Sequence, residues 1–222
     1  MIVYRYKNLK MTIFLAKIEK YDESPFMTHQ KLLGSKMKVV VGDKNDMHHI
    51  LKYEKFDFIF VAGFPWRIPV LGNLVSNTPS FNIHPSSLPK YWGPDPVRNQ
   101  ILDLVDYFGV SIHTLTKNFD AGNVIHNSNI KNNNQMCIFE ILYRLGKLIL
   151  PYIYHIIDKE EYYNKFYFNQ KSENKLIKKY YAESVNIRNL LKKQINKDNI
   201  TLVNRLLGTS KWKEILYHIC SV

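Results

Sequence analysis

The run FDFIFVA, Phe56 to Ala62, is the tightest constraint in the chain, because six of its seven residues are apolar. A strand without polar alternation must be covered on both faces, as in the interior of a parallel sheet. It therefore predicts a central strand with helices packed around it. Further extended segments are expected at Met11 to Ala16, Met37 to Val41, Ser80 to Ile83 and Val110 to Leu115. The stretches between them are long enough for helices, which favours an α/β sheet joined by parallel crossovers.

Two helices are predicted with some definition. In PDPVRNQILDLVDYFG, Asp95 suits the cap, Pro96 the first helical position and Gly109 the left-handed residue that closes the helix. Between Met136 and Ile157, residues Ile138, Leu142, Leu145, Ile149, Tyr152 and Ile156 recur at helical spacing and form one stripe. That stripe reads as a packing face on the sheet, with a dimer seam as the alternative, and Pro151 is expected to kink or interrupt it. Beyond Asp158 the pattern weakens to a short strand near Lys165 to Asn169 and a helix near Glu183 to Gln194.

The chain has 222 residues, enough for one ordinary domain and a small appendage, and 45% hydrophobic content excludes disorder as the main reading. Residues 1–158 are expected to form the main domain. Residues 159–222 are expected to form a small C-terminal subdomain used for dimerisation. No apolar run reaches the roughly 18 residues of a spanning helix, so no membrane partner is expected. Basic residues are interleaved through MIVYRYKNLKMTIFLAK, which does not resemble a cleaved leader. With only Cys137 and Cys220, a cytoplasmic, reducing setting is expected. The net charge of +12 reads as a solvated basic surface rather than a nucleic-acid face. His48 and His49 are adjacent, so they diverge on a strand or a helix, and no metal site is expected.

The chemistry concentrates in SFNIHPSSLPKYWGPDPVRNQ, Ser80 to Gln100. Side chains two apart on a strand share a face, so Asn82 and His84 point one way while Phe81 and Ile83 point the other. Pro85 turns His84 away from helical geometry and ends the strand there. Both polar groups then sit at the strand's carboxyl end, where open α/β sheets bind ligands. An amide and a protonated imidazole together form a two-donor site for a developing oxyanion. Asp120, in FDAGN after the strand Val110 to Leu115, supplies a carboxylate to keep the imidazole charged, with Gly122 giving the turn its freedom. Taken alone, an Asn-x-His pair also fits a strand-end histidine satisfied by backbone.

FNIHPSSLP, KYWGPDP and GVSIHTLTKNFDAGNVI together resemble the signature of the folate-dependent formyltransferases, and the resemblance runs from about Phe56 to Ile125. It implies a Rossmann-like, mostly parallel sheet flanked by helices, with a small C-terminal appendage. It implies 10-formyltetrahydrofolate as formyl donor and a triad of Asn82, His84 and Asp120. His113 falls at the family's second histidine, with a structural or supporting role. The segment VAGFPWRIP is similar to the family's pterin-holding loop, which places cofactor contacts at Phe64, Trp66, Arg67, Ile68 and Pro69, with Gly122 nearby. The chain departs from the family at Ser87, where a larger apolar residue is usual, and at Lys17 to Ser24, which lacks the expected glycine.

Three acceptors are compatible with such a core. Methionyl-tRNA formyltransferases carry a large tRNA-binding domain, for which the residues after Asp158 look too few. Phosphoribosylglycinamide formyltransferases usually carry further histidines where this chain reads GPDPVRNQ. The resemblance is greatest to sugar-nucleotide N-formyltransferases, which act on dTDP-linked amino-deoxy sugars such as dTDP-4-amino-4,6-dideoxyglucose and are often homodimers. On that reading Lys90 and Arg98 meet the diphosphate, Tyr91 and Trp92 the base, and Pro94 lines the same loop. For each of these residues a solvated or packed structural role is the competing reading. The alternatives are a phosphoribosylglycinamide formyltransferase and a degenerate homologue that binds without catalysis.

Overall fold

The computed structural model describes residues 2–6, 11–15, 37–41, 58–62, 78–116, 118–158 and 205–206. Seven strands and two helices are present among them: β1 Ile2–Tyr6, β2 Met11–Leu15, β3 Met37–Val41, β4 Phe58–Ala62, β5 Ser80–His84, α1 Pro96–Leu102, β6 Tyr107–Thr114, β7 Val124–Lys131 and α2 Ile138–Asp158. β2, β4, β5, β6 and β7 form one sheet in that order, while β1 and β3 pair antiparallel as a separate ribbon. The Met37 to Val41 strand thus exists but lies outside the main sheet. β4 runs parallel to β2 and β5, whereas β6 and β7 continue the sheet antiparallel. This is the Rossmann-like α/β architecture with an antiparallel margin.

β4 is buried at every position, as its unbroken apolar sequence requires. The core lies on the face carrying Phe58, Phe60, Phe81, Ile83, Val110 and Ile112, covered by α1 and α2. Phe60 and Phe81 stand opposite each other across the parallel pair, with ring centroids 5.2 Å apart. With Phe81 and Ile83 committed to that core, Asn82 and His84 must project from the opposite face.

α2 runs through Pro151 as one 21-residue helix, so the proline does not interrupt it. Its buried line is Ile138, Ile141, Leu145, Ile149, Ile153 and Ile156. Tyr152, assigned to the stripe from spacing, is 39% exposed and stacks on His126 of β7. The stripe is a packing face against β6 and β7, as expected: Ile138, Leu145, Ile149 and Ile156 keep their predicted places, while Ile141 and Ile153 are buried beside the expected Leu142 and Tyr152.

α1 is shorter than its punctuation promised. Pro96 opens it, but Asp95 adopts a left-handed backbone and makes no side-chain cap bond; its carboxylate takes Arg98 instead, at 2.7 Å. The helix closes at Asp103, and Gly109 lies inside β6. A Cβ at Gly109 would collide with the backbone and hydroxyl of Ser87, so this glycine serves close approach of the loop after β5 and not helix termination. Of the segment 159–222 only Arg205 and Leu206 are described, so the strand near Lys165 and the helix near Glu183 lie outside the described residues. Among the described residues no helix is long and apolar enough to cross a membrane.

Candidate active site

β5 and β6 pair so that Asn82 faces His113 and His84 faces Ser111. Directly opposed antiparallel residues share a sheet face with Cβ atoms only ~5 Å apart. The register alone therefore brings Asn82, His84 and His113 together. A β-bulge opposite Ile112 and His113 adds Ile125 to β7, a device that re-aims side chains beside sites.

Asp120 arrives from the turn between β6 and β7, with φ of 47°. Its Oδ1 lies 3.0 Å from Asn82 Nδ2, 3.5 Å from His84 Nδ1 and 3.5 Å from His113 Nε2. Its Oδ2 accepts the Gly93 N–H at 3.0 Å. Gly122 contributes differently from expectation: the left-handed residue is Asp120 itself, and Gly122 is needed because a Cβ there would overlap the Thr114 carbonyl. The turn can press against the end of β6 only without that atom.

The two imidazoles hold their protons on opposite nitrogens. His84 Nε2 faces the Tyr91 carbonyl at 2.9 Å and must carry a hydrogen to bond it, leaving a lone pair on Nδ1 beside Asp120. His113 Nδ1 faces the Thr114 carbonyl at 2.9 Å, so its Nε2 accepts the second Asn82 N–H at 3.0 Å. Asn82 thereby uses both amide hydrogens within the cluster.

Burial lowers the His84 pKa below its ordinary 6.5, outweighing the opposing pull of Asp120 and the Tyr91 hydrogen bond. Burial thus favours the neutral imidazole in the unliganded site, whereas the sequence suggested a protonated one held by Asp120. Burial works against ionisation of Asp120 as well, yet at the low pH where it titrates, the protonated imidazoles of His84 and His113, with the Gly93 N–H, bring its pKa down to about 2. The carboxylate is charged. His84, His113 and Asp120 are buried and Asn82 is half-buried, so the amide is the most accessible member of the cluster.

Residues 15–137 match the family described as formyl transferase, more than half of the chain.

The chain belongs to the formyl transferase family. Methionyl-tRNA formyltransferase from Mycoplasmopsis pulmonis is 31% identical over 121 residues, which cover 53% of this chain and 42% of that protein. The chain thus spans less than half the length of the curated relatives it matches first. Among solved structures, methionyl-tRNA formyltransferase from Clostridium thermocellum aligns with a TM-score of 0.60 at 13% identity, covering 90% of this chain and 83% of that one. HypX from Aquifex aeolicus, solved in complex with tetrahydrofolic acid, aligns with a TM-score of 0.59 at 16% identity, over 74% of this chain and 28% of that one.

Within this formyl transferase fold, the residues assigned to the acceptor separate into two groups. Lys90 is exposed and Tyr91 and Pro94 are half-buried, at the loop that follows the triad strand. Trp92 and Arg98 are engaged by other protein groups. Trp92 is 1% exposed, packs with Leu88 and Val124, and donates its indole N–H to the Phe119 carbonyl at 2.6 Å. Arg98 bonds Asp95 and the Leu206 carbonyl, the latter at 3.0 Å. Phe64, Trp66, Arg67, Ile68 and Pro69 lie outside the described residues.

Sequence reasoning missed the backbone groups of Tyr91 and Gly93, since no residue type announces a carbonyl or an N–H as a ligand. It also left His113 at the margin, although the strand spacing that pairs Asn82 with His84 applies equally to Ser111 and His113.

Proposed function

We propose that this chain transfers a formyl group from 10-formyltetrahydrofolate to the primary amine of a phosphate-bearing acceptor. The convergence of Asn82, His84 and Asp120 on one accessible amide carries the reading. The folate supplies an activated formyl group. The amide N–H fits the donor that a formyl oxygen needs as it gains negative charge, and the imidazole beside it fits a proton acceptor for the attacking amine.

The roles follow from the proton positions. Asn82 is half-buried and turns one N–H from its protein acceptors to the formyl oxygen. As the acceptor nitrogen bonds to the formyl carbon, it loses a proton to Nδ1 of neutral His84, and the imidazolium so formed sits beside the Asp120 carboxylate. The bond between the formyl carbon and the folate nitrogen then breaks and that nitrogen takes the proton, releasing tetrahydrofolate. A neutral imidazole at rest is the better starting state, because a cation there could not accept the proton. Holding both reactants in the crevice supplies much of the remaining acceleration.

For the acceptor, exposed Lys90 and the Tyr91 ring suit the phosphate and base of a dTDP-linked amino-deoxy sugar, formylated on its amine. A second reading, methionyl-tRNA, is favoured by the curated relatives, which are methionyl-tRNA formyltransferases. Incubating the full chain with 10-formyltetrahydrofolate and, in parallel, dTDP-4-amino-4,6-dideoxyglucose, methionyl-tRNA or glycinamide ribonucleotide tests both. Formylated sugar nucleotide is the expected product. Formyl-methionyl-tRNA alone moves the acceptor to the second reading, and no transfer to any amine, with no binding of 5-formyltetrahydrofolate by calorimetry, overturns the proposal.

A further inference from the structure

We infer that Trp92 is a positioning residue that decides which nitrogen of His84 carries the proton. The residue before it turns its carbonyl onto His84 Nε2 at 2.9 Å, and the residue after it turns its N–H onto Asp120 Oδ2 at 3.0 Å. Trp92 stands between these two contacts, and its indole N–H reaches 2.6 Å across to the carbonyl of Phe119, the residue preceding Asp120. One side chain thus fastens the turn that reads the imidazole to the turn that bears the carboxylate.

The backbone shows why a fastening is needed. Tyr91 has φ of 56°, Gly93 94° and Asp120 47°, so all three residues around the bond are left-handed. Tyr and Asp visit that region only when the surroundings over-determine it. The indole does so, buried against Leu88 and Val124 with Ala121 beside it.

The consequence concerns His84. Two acceptors compete for its single hydrogen: the Tyr91 carbonyl at Nε2 and the Asp120 carboxylate, 3.5 Å from Nδ1. A charged acceptor makes the stronger hydrogen bond when geometry allows. The Nε2–H form persists because the Tyr91 carbonyl is held at bonding distance while the carboxylate is held slightly too far, its oxygens engaged by Asn82 and Gly93. Loosening the indole bond frees both turns and lets the hydrogen move to Nδ1, removing the lone pair that receives the amine proton.

The kinetic part of this inference rests on the proposed formyl transfer, but the protonation pattern does not, so the two are separable. Nitrogen-15 spectra of the full chain labelled at histidine, recorded above pH 8 without ligands, should show His84 as Nε2–H. Trp92→Phe, and incorporation of benzothienylalanine in place of Trp92 to keep the ring shape while removing the N–H, should both move the hydrogen to Nδ1. Each should also lower kcat about tenfold or more while leaving KM for the acceptor nearly unchanged. Val124→Ala, which loosens the packing but keeps the indole bond, should retain the Nε2–H spectrum. A wild-type His84 already protonated at Nδ1, an unchanged spectrum in the benzothienylalanine protein, or an equal change in Val124→Ala would each overturn the role.

Discussion

Asn82 spends both of its amide hydrogens inside the cluster, on Asp120 and His113, so the unliganded site is self-satisfied and a substrate oxygen must compete for one of them. That competition makes the amide a sensitive point. Asn82→Ala or His84→Ala is expected to lower kcat about a hundredfold or more, the usual cost of losing a positioned donor to a developing oxyanion. Near wild-type turnover in either variant would remove that residue from the mechanism. Protonation offers a second handle on the same residues. The folded state holds His84 below 6.5, so the unfolded chain binds the extra proton first as pH falls. His84 therefore contributes stability that is complete above pH 6.5 and is lost as the pH drops from there through its folded value. Asp120 has the same sign in a lower window, from 3.8 down to about 2. Urea unfolding between pH 8 and 5 should show stability falling with a slope of up to about 1.4 kcal/mol per pH unit from His84, and His84→Gln should flatten that slope. A slope unaffected by the substitution would show that another group supplies it.

At the scale of elements, the register between β5 and β6 does most of the assembly, because it fixes Asn82 against His113 while committing Phe81 and Ile83 to the core. This much was legible from alternation and from Pro85 closing the strand. The Asp120 turn was legible as a location but not as a conformation, since spacing cannot tell whether Asp120 or Gly122 takes the left-handed backbone. The α1 terminus was misread for a related reason: Gly109 looks like a helix stop until Ser87 is seen packed against it. For α2 the limit was two positions at the margins of the stripe. Ile138, Leu145, Ile149 and Ile156 belong to either line, and only the sheet's location buries Ile141 and Ile153 more deeply than Leu142 and Tyr152. The selection can be measured. Ile149→Ala, on the fully buried line, is expected to cost about 2–5 kcal/mol. Tyr152→Ala, which loses the stack on His126, should cost about 0.5–1.5 kcal/mol. Comparable losses from both would put the tyrosine back on the packing face.

On the scale of the whole molecule, residues far apart in sequence are tied by a pair of arginines that local pattern could not assign. Arg98 of α1 donates to the Leu206 carbonyl at 3.0 Å, and Arg205 donates to the Met136 carbonyl at 3.2 Å and to Asn132 Oδ1 at 3.4 Å. A cation after a motif strand is chemically suitable for a phosphate, and no local pattern shows that Arg98 also reaches a carbonyl 108 residues away. The dipeptide Arg205–Leu206 is thereby held from two sides, by α1 and by the segment leading into α2. Leu206 is buried in the same core that α2 covers. Arg98→Met and Arg205→Met keep the aliphatic stem and remove the donors to these carbonyls, and each is expected to cost about 1–3 kcal/mol in urea unfolding. Because both bonds secure one dipeptide, releasing it once should remove much of what the second bond provides. The double variant is therefore expected to lose less than the sum of the two, by about 0.5 kcal/mol or more. Strict additivity would mean that the two arginines stabilise separate parts of the fold and that residues 205–206 are not a shared anchor.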